Sequence, residues 1–402
     1  LKLCIILAKD NDLDAFIKEL FMKKKKIGFI SDNMPWDKRT WSGTKSKIYE
    51  QISKCNVEVI WIPVKFNFLT HIYKICLFLI TRLLKKRYSI IHTTFVAKQL
   101  SRSIDKSLLE SVDLIFAVSG SQYLYKLETT KPIIYLADAT FTLLYNYYDR
   151  VSNFLPFNVK QGNLIELTAL NKASKIIASS DWCKASIEND YGINPNKVYV
   201  IEFGANVDEK DIKNNIVTPK KESNSMLNIL FLAVEWKRKG GEIAIDCVKR
   251  LNEMRIPTKL YIVGTDVPIH HKNESFIESI GFLNKNKENE YCQFIKIIKQ
   301  CDILLLPTKA ECAGIAFCEA SAYQLPIFTY DTGGIPNYVE NGINGYRLPL
   351  SCTGEDFAQK IKTVVEQNKL PSLKYGCNHL YNNKLNWEHW RLIFEKTFLN
   401  KI

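Results

Sequence analysis

Two glutamates that could contact a sugar nucleotide, Glu311 and Glu319, lie eight positions apart in the second half of the chain. Residues 301–307 form a short apolar block that ends in a proline, which is typical of a buried parallel strand because proline cannot donate to the ladder. Residues 316–322 have the small and apolar positions of a helix. We therefore expect Glu311 in a loop and Glu319 in the helix that follows.

A loop at the carboxyl end of a parallel strand is where open α/β sheets bind ligands, since helix N-termini there offer free N–H groups to phosphates. The loop around Gly314 is predicted to be such an end. A carboxylate inside the helix can accept two hydrogen bonds from a ribose diol, and one in the loop can accept hydrogen bonds from sugar hydroxyls. The spacing indicates a sugar–diphosphate–nucleoside site. The alternative is that both glutamates are solvated charges near a helix N-terminus.

The next segments add glycine-rich turns. Residues 326–331 read as another strand, and Gly333 and Gly334 then turn into a predicted helix with Pro336 in its first turn. Paired glycines allow a backbone to approach a ligand closely. Residues 341–348 carry two Asn-Gly-type turns around a short strand, which by themselves indicate a surface hairpin.

Residues 307–349 together resemble the donor-nucleotide half of the retaining glycosyltransferases of family 4, also called glycosyl transferase group 1. Residues 231–241 resemble the first strand and basic loop of that half, 179–206 the end of the family's first domain, and 37–44 its first glycine loop. The resemblance extends over about residues 27–399. It implies an α/β protein of GT-B architecture, with two Rossmann-like doubly wound domains that face a central cleft.

The domain organisation follows from composition together with the resemblance. Residues 1–26 are interpreted as an extension of uncertain status, and 27–206 as an acceptor-side Rossmann-like domain. The polar segment 207–226 is typical of a linker. Residues 227–384 are predicted to bind the donor nucleotide. The resemblance implies that a last helix within 385–402 crosses back to the first domain.

Apolar and helical blocks alternate along the first half of the chain, as in a doubly wound sheet. The strands predicted in this half, after a first strand at 27–30, are 57–62, 89–92, 114–117, 133–136 and 175–178.

The resemblance also implies which residues bind the donor. Lys239 matches the family lysine that contacts the pyrophosphate, and Arg238 is a substitute for an arginine that relatives carry about five residues before that lysine, where this chain has Val234 and Glu235. The alternative for this basic turn is a solvated surface loop. Gly43 is expected to let its loop close over the phosphates, with an ordinary helix-start glycine as the alternative. The predicted donor-binding set is Gly43, Arg238, Lys239, Glu311, Ala313, Gly314, Ile315 and Glu319.

The predicted catalytic residues are Glu311, Lys239 and Asp138. Asp138 follows the strand 133–136, at a position where many relatives carry a histidine. Its carboxylate could orient the acceptor hydroxyl or stabilise positive charge on the sugar in the transition state. The alternative, held equal, is that Asp138 caps the helix that follows it. Asn337 stands where relatives often have glutamate.

No metal or cofactor is predicted beyond the nucleoside-diphosphate-sugar co-substrate. No Asp-x-Asp pair follows a strand of the donor half, because Asp10 and Asp12 precede the predicted fold. The six histidines, including His270 and His271, lack ligand spacing and are expected to be surface or core residues. The eleven cysteines show no C-x-x-C pair, which favours a reducing, cytoplasmic compartment.

The formal charge of +13 is compatible with anionic substrates, an anionic membrane face, nucleic acid or a coding bias. Nothing resembles an RNA-binding aromatic signature, so no nucleic-acid partner is predicted. No apolar run reaches the ~20 residues that span a bilayer. Residues 68–80, followed by the basic segment 82–87, have two interpretations: a face that docks at the inner surface of a membrane, or a buried helix. The apolar positions go nearly all round, which favours the buried helix.

The chain is thus predicted to be a retaining, metal-independent hexosyltransferase of carbohydrate biosynthesis. It would move a sugar from a nucleoside-diphosphate donor to a glycan or lipid-linked acceptor. Two alternatives stay open, namely a nucleotide-sugar epimerase of the same architecture and a non-catalytic sugar-nucleotide-binding module. A nicotinamide dehydrogenase is disfavoured because no G-x-G-x-x-G follows the first strand.

Overall fold

The computed structural model of the chain describes residues 24–38, 40–213 and 226–399. Asp10, Asp12, Arg39 of the predicted glycine loop, nearly all of the predicted extension and most of the predicted linker lie outside these residues. Two parallel sheets organise the described chain, each with six strands. We call the parts built on them the first and second domains.

The first sheet has the order β2-β1-β3-β4-β5-β6, and all of its neighbouring strands are parallel. β3 and β4 are buried at every position, as expected for strands covered by crossover helices on both faces. The strands are β1 Lys25–Ser31, β2 Val57–Pro63, β3 Leu114–Val118, β4 Ile133–Ala137, β5 Lys175–Ala178 and β6 Val198–Val200. The helices are Thr44–Lys54, Phe68–Leu84, Thr94–Arg102, Lys106–Glu110, Ser121–Leu124, Phe141–Leu144, Pro156–Lys172 and Asp181–Asn189.

The second sheet has the order β12-β11-β10-β7-β8-β9, again with parallel neighbours. Its strands are β7 Leu227–Leu232, β8 Thr258–Val263, β9 Ile277–Gly281, β10 Ile303–Leu306, β11 Ile327–Tyr330 and β12 Gly345–Leu348. The helices in and beside this domain are Glu209–Lys213, Trp236–Lys239, Gly241–Glu253, Glu288–Gln300, Ile315–Ala322, Gly354–Glu366, Leu370–Asn383 and Trp387–Phe394.

Each sheet has one point where the strand order reverses. In the first sheet this point lies between β1 and β3, and in the second it lies between β7 and β10. Connections on either side of such a point leave the sheet in opposite directions, so a crevice opens there at the carboxyl ends of the strands. The segments that follow β7 and β10 carry Lys239, at the end of the short helix Trp236–Lys239, and Glu311. The topology therefore brings two distant sequence motifs to one crevice.

Two local predictions were wrong. Residues 89–92 do not form a strand, because Ile90–His92 is a 3-10 turn in which Ser89 Oγ lies 2.7 Å from His92 Nδ1. The predicted hairpin at 341–348 is not one either, since β12 pairs in parallel with β11. In both places the sequence showed correctly that the segment is apolar or contains turns. The segment that it contacts, which is distant in the sequence, determined its structure.

The helix Trp387–Phe394 packs on the first domain. The ring of Phe394 contacts that of Phe116 in β3, with centroids 5.6 Å apart. Trp387 Nε1 donates to Asn206 Oδ1 at 3.0 Å, and Asn206 Nδ2 donates to the Ser42 carbonyl at 2.8 Å. One buried amide thus connects the end of the chain to the loop that precedes the first-domain helix Thr44–Lys54.

Gly204 allows this helix to lie against the chain, because a Cβ at that position would overlap the backbone of Asn386 and Trp387. We expect Gly204→Ala to lower the free energy of unfolding by about 1–3 kcal/mol, as overpacking does. Gly192→Ala is the control, since a Cβ there meets nothing within 4 Å and only its φ of +65° is unfavourable. Urea unfolding measures both variants. A smaller loss for Gly204→Ala than for Gly192→Ala would contradict this packing.

Candidate functional site

The crevice of the second domain depends on a close approach between the loops after β7 and β10. Gly240 ends the short helix Trp236–Lys239 with a φ of 78°, and a Cβ there would overlap the Pro307 carbonyl. Lys309 N donates to the Arg238 carbonyl at 2.9 Å across the same gap. Glycine satisfies both the left-handed backbone and the contact. The approach positions the Lys239 side chain beside Glu311.

Lys239 and Glu311 form an ion pair. The Lys239 ammonium donates to Glu311 Oε2, and the two side chains are only 12% and 13% exposed. Arg238 Nη1 lies 3.8 Å from the same carboxylate oxygen. Partial burial strengthens such charge–charge interactions relative to water. The structure therefore brings three predicted site residues together, with Lys239 and Arg238 both next to the Glu311 carboxylate.

Arg238 is held by Glu235, one of the two residues that stand where the family arginine was expected. Arg238 donates through Nε and Nη2 to the two Glu235 oxygens at 3.0 Å each, and through Nη1 to the Ala310 carbonyl at 2.7 Å. The Arg238 hydrogen bond holds the pKa of the Glu235 carboxyl below its usual range. The bidentate pair fixes the guanidinium plane at the crevice. The glutamate thus positions the substitute arginine.

Asp138 approaches the same region from the end of β4 in the first domain. Burial, with a smaller contribution from the negative charge of Glu311, raises the pKa of the Asp138 carboxyl to about 6, although hydrogen bonds from the backbone and from the Trp41 side chain oppose the shift. Asp138 does not cap the following helix, because Thr140 does so by accepting from Leu143 N. The alternative interpretation of Asp138 as a helix cap was therefore wrong. The negative charges of Asp138 and Glu311 therefore lie close enough to repel each other.

Two tyrosines that sequence reasoning missed connect the domains at this point. Glu311 N donates to Tyr147 Oη at 2.8 Å, and Tyr147 Oη lies 3.0 Å from Thr332 Oγ1. Tyr148 Oη lies 3.1 Å from Cys312 Sγ, and the Arg238 guanidinium lies over the Tyr148 ring at 5.1 Å. The only signal in the sequence was a cluster of aromatic hydroxyls after a strand end.

The paired glycines after β11 lie against the main chain of the Glu311 loop. A Cβ at Gly333, whose φ is 56°, would overlap the Glu311 carbonyl and Tyr147 Oη, and Gly334 N donates to the Glu311 carbonyl at 3.0 Å. The close approach is thus to the Glu311 main chain. The predicted helix after them is only the 3-10 turn Ile335–Asn337.

Glu319 lies in the helix Ile315–Ala322, as predicted, but it is 3% exposed and accepts from Lys285 Nζ at 2.5 Å. The interpretation of Glu319 as a solvated charge was therefore wrong. Lys285, which the sequence analysis missed, also lines a pocket between the domains together with Gly43 and Tyr291. Lys285 follows β9, a strand that the apolar pattern did not reveal.

The backbone conformation at residue 43 favours glycine. Its φ is 85°, and it follows Trp41 and Ser42 with φ values of 51° and 55°. A Cβ would meet only the Lys38 carbonyl at 3.4 Å and Asn206 Nδ2 at 3.8 Å, so the protein itself leaves room there. The left-handed conformation is what favours glycine.

The remaining predicted donor-binding residues, Ala313, Gly314 and Ile315, form the entry to the helix Ile315–Ala322. Gly314 precedes the helix, and its carbonyl accepts from Phe317 N at 2.9 Å and from Cys318 N at 3.2 Å. Ala313 and Ile315 are half-buried. These residues occupy the carboxyl end of β10, where the sequence predicted them.

One group of three metal-ligating residue types lies close together among the described residues, namely Glu242, His270 and His271. Glu242 Oε2 lies 2.8 Å from His271 Nε2, and Glu242 Oε1 accepts from Trp236 Nε1 at 2.9 Å. Glu242 and His270 are exposed.

Within the part of the chain that the structure describes, no helix is long and apolar enough to cross a membrane.

Comparison with known structures identifies the architecture. Sucrose-phosphate synthase from Thermosynechococcus elongatus superposes with a TM-score of 0.66 at 12% identity, over 94% of this chain and 99% of that one. The Anabaena Alr3699/HepE structure in complex with UDP-glucose superposes with a TM-score of 0.57 at 14% identity, over 94% of this chain and all of that one. The fold is GT-B. The predicted fold class is confirmed.

Sequence comparison places a family match on the same half of the GT-B fold as the Lys239–Glu311 pair. Residues 211–374 match the family model described as Glycosyl transferases group 1. The lipopolysaccharide glucosyltransferase WaaG of Escherichia coli is 25% identical over 213 residues, which are 50% of this chain and 55% of WaaG. The chain thus spans about half the length of the curated relatives it matches.

Asp138→Asn tests the environment of the carboxyl. The pKa of about 6 in the folded state exceeds the ordinary value of ~3.9, so ionised Asp138 destabilises the fold, and the destabilisation grows as pH rises from about 4 to 6. The variant should unfold with a free energy roughly 2 kcal/mol higher at pH 7.5, and the gain should vanish below about pH 4. Urea titrations at both pH values measure it. Exposed Asp266→Asn is the control, and an equal gain at both pH values would be inconsistent with burial of the charge.

Asn337→Asp tests the departure from the family glutamate. Asn337 Nδ2 donates to Asp181 Oδ2 at 2.9 Å and to Glu202 Oε1 at 2.8 Å, which joins the domains. A carboxylate there would face two others, so we expect a loss of about 1–3 kcal/mol in unfolding free energy at pH 7, reduced in acid. Exposed Asn341→Asp is the control, because its oxygen only accepts from Arg347 N. Equal losses of unfolding free energy in the two variants would show that the Asp181 and Glu202 carboxylates do not exclude a third carboxylate at residue 337.

Proposed function

We propose that the chain is a retaining, metal-independent glycosyltransferase that moves a hexose from a nucleoside-diphosphate-sugar donor to a glycan or lipid-linked acceptor. The observation that carries the proposal is the half-buried cluster of Lys239, Arg238 and Glu311 at the switch point of the second sheet. The family match over residues 211–374 supports the reaction class. WaaG, a lipopolysaccharide glucosyltransferase, supports a sugar donor and a glycan or lipid-linked acceptor.

The cluster has the charge that departure of a diphosphate requires. When the bond between sugar and phosphate breaks, negative charge collects on the leaving oxygens, and preorganised cations stabilise that charge in the transition state. The positive charges of Lys239 and Arg238 would provide this stabilisation without a metal ion. In this structure Glu311 neutralises Lys239. A bound diphosphate would compete for the ammonium group and release the Glu311 carboxylate toward hydroxyls of the donor sugar.

The first domain would supply the acceptor side. Asp138 lies near Glu311, and its pKa of about 6 keeps it able to exchange a proton near neutral pH. We propose that Asp138 orients the acceptor hydroxyl or stabilises positive charge on the sugar. Glu319 would accept from the ribose of the nucleoside, with Lys285 holding the carboxylate in place. Gly43 would allow its loop to lie close to the phosphates.

Nucleotide sugars test the proposal. Thermal shift with UDP-glucose, UDP-galactose, UDP-N-acetylglucosamine and GDP-mannose should reveal a stabilising donor, since a ligand that binds only the folded state raises Tm. With that donor, Lys239→Ala should lower kcat for donor cleavage about 10²–10³-fold, the usual effect of removing one transition-state contact. Lys237→Ala, an exposed lysine of the same turn, is the matched control and should retain activity.

Product analysis separates the alternatives. Conversion of the donor to another nucleotide sugar without acceptor would favour the epimerase, and binding without cleavage would favour the non-catalytic module. Nuclear magnetic resonance of the first product anomer tests retention, and activity in excess chelator tests metal independence. Equal activity of the Lys239→Ala and Lys237→Ala variants would overturn the assigned role of Lys239.

A further inference from the structure

The helix Phe68–Leu84 presents an unusually apolar surface to solvent. Its only buried residues are Thr70, Leu77 and Thr81. Nine large apolar side chains of this helix are between 44% and 84% exposed. They are Phe68, Leu69, Ile72, Ile75, Phe78, Leu79, Ile80, Leu83 and Leu84. The interpretation of this segment as a buried first-domain helix, which the all-round apolar pattern favoured, was therefore wrong.

The helix is a defined element with a fixed inner side. The Asn67 side chain caps its start by accepting from Thr70 N at 3.0 Å, and Lys85, with a φ of 49°, ends it. The inner side is held by the ring contact of Tyr73 with Phe95 at 4.9 Å. So many exposed large apolar side chains on one helix are uncommon and mark an interaction site.

The charged residues around the helix Phe68–Leu84 indicate what binds its exposed apolar face. No acidic residue occurs between Glu58 and Asp105, whereas this stretch contains many basic ones. Exposed basic residues on and beside the helix that form no ion pair within the described chain include Lys65, Lys74, Arg82, Lys85 and Lys98. Long basic side chains can extend from an apolar surface to the phosphate level of a bilayer. An apolar face bordered by unopposed cations complements anionic lipid.

We propose that the helix Phe68–Leu84 docks in the plane of an anionic membrane surface. Its apolar side chains would enter the headgroup and acyl boundary, and Lys74, Arg82 and Lys85 would meet lipid phosphates. The helix has 17 residues, about 25 Å at 1.5 Å per residue, which is too short to span a bilayer.

The docked helix would also set the position of the cleft. Lys86 Nζ donates to Asn153 Oδ1 at 2.8 Å, and Arg87 N donates to the Asn153 carbonyl at 2.9 Å. The loop that holds Asn153 continues from Tyr147 and Tyr148, which contact Glu311 and Cys312. Membrane docking would therefore place the acceptor side of the cleft near the lipid surface. This last step rests on the proposed function, whereas binding to lipid does not.

Vesicle sedimentation of the full chain tests the docking. Vesicles of equal parts phosphatidylglycerol and phosphatidylcholine should bind the protein, and phosphatidylcholine alone should bind it far more weakly. Changing Lys74, Arg82 and Lys85 together to Ser should weaken binding on the order of 100-fold. Leu79→Gln with Leu83→Gln should also weaken it, since apolar burial is lost. Because all five side chains are exposed, Tm should be unchanged.

The matched control is Lys249, Lys296 and Lys299 changed together to Ser, which keeps the charge change but lies on the second domain, and it should bind normally. Equal binding of both triple variants, or equal binding to neutral vesicles, would overturn the proposal. So would a self-association in solution that the leucine changes abolish, because the face would then join two copies of the chain. Donor-induced thermal shift in the same variants tests the proposed function separately.

Discussion

The contact of Gly240 with the Pro307 carbonyl is the constraint on which the candidate site depends. It holds the loops after β7 and β10 together at the point where the second sheet reverses its strand order. A larger residue would separate the loops, and the Lys239 ammonium would leave Glu311. The basic turn and the acidic loop are more than seventy positions apart in the chain, so only the sheet brings them together.

The same cleft carries opposed charges that are only partly compensated. Glu311 is held by Lys239 and Arg238, whereas Asp138 forms no ion pair among the residues that the structure describes, and its pKa is raised chiefly by burial. A site in which cations are already paired and a second carboxyl stays near its titration point is suited to exchange partners with a charged substrate. Partner exchange, rather than a fixed salt bridge, is what a leaving diphosphate requires.

Contacts between the domains are as specific as those within them. Tyr147 accepts from Glu311 N, Asn337 joins Asp181 to Glu202, and Tyr338 Oη donates to the Ser179 carbonyl at 2.8 Å. The first-domain loop at Gly43 is connected through Asn206 to Trp387. A change in the relative position of the domains would therefore alter the main chain of Glu311 directly.

The alternation of strands and helices, and the placement of Glu311 in a loop and Glu319 in a helix, could be predicted from local apolar patterns, whereas the GT-B architecture was implied by the resemblance of several motifs to a known family. The pairing of Glu319 with Lys285, the contact of Tyr147 with Glu311, and the exposure of the helix Phe68–Leu84 became visible in the folded chain alone. Burial and pairing depend on which distant segments meet. A periodic pattern shows that a segment is apolar, but it does not show what covers it.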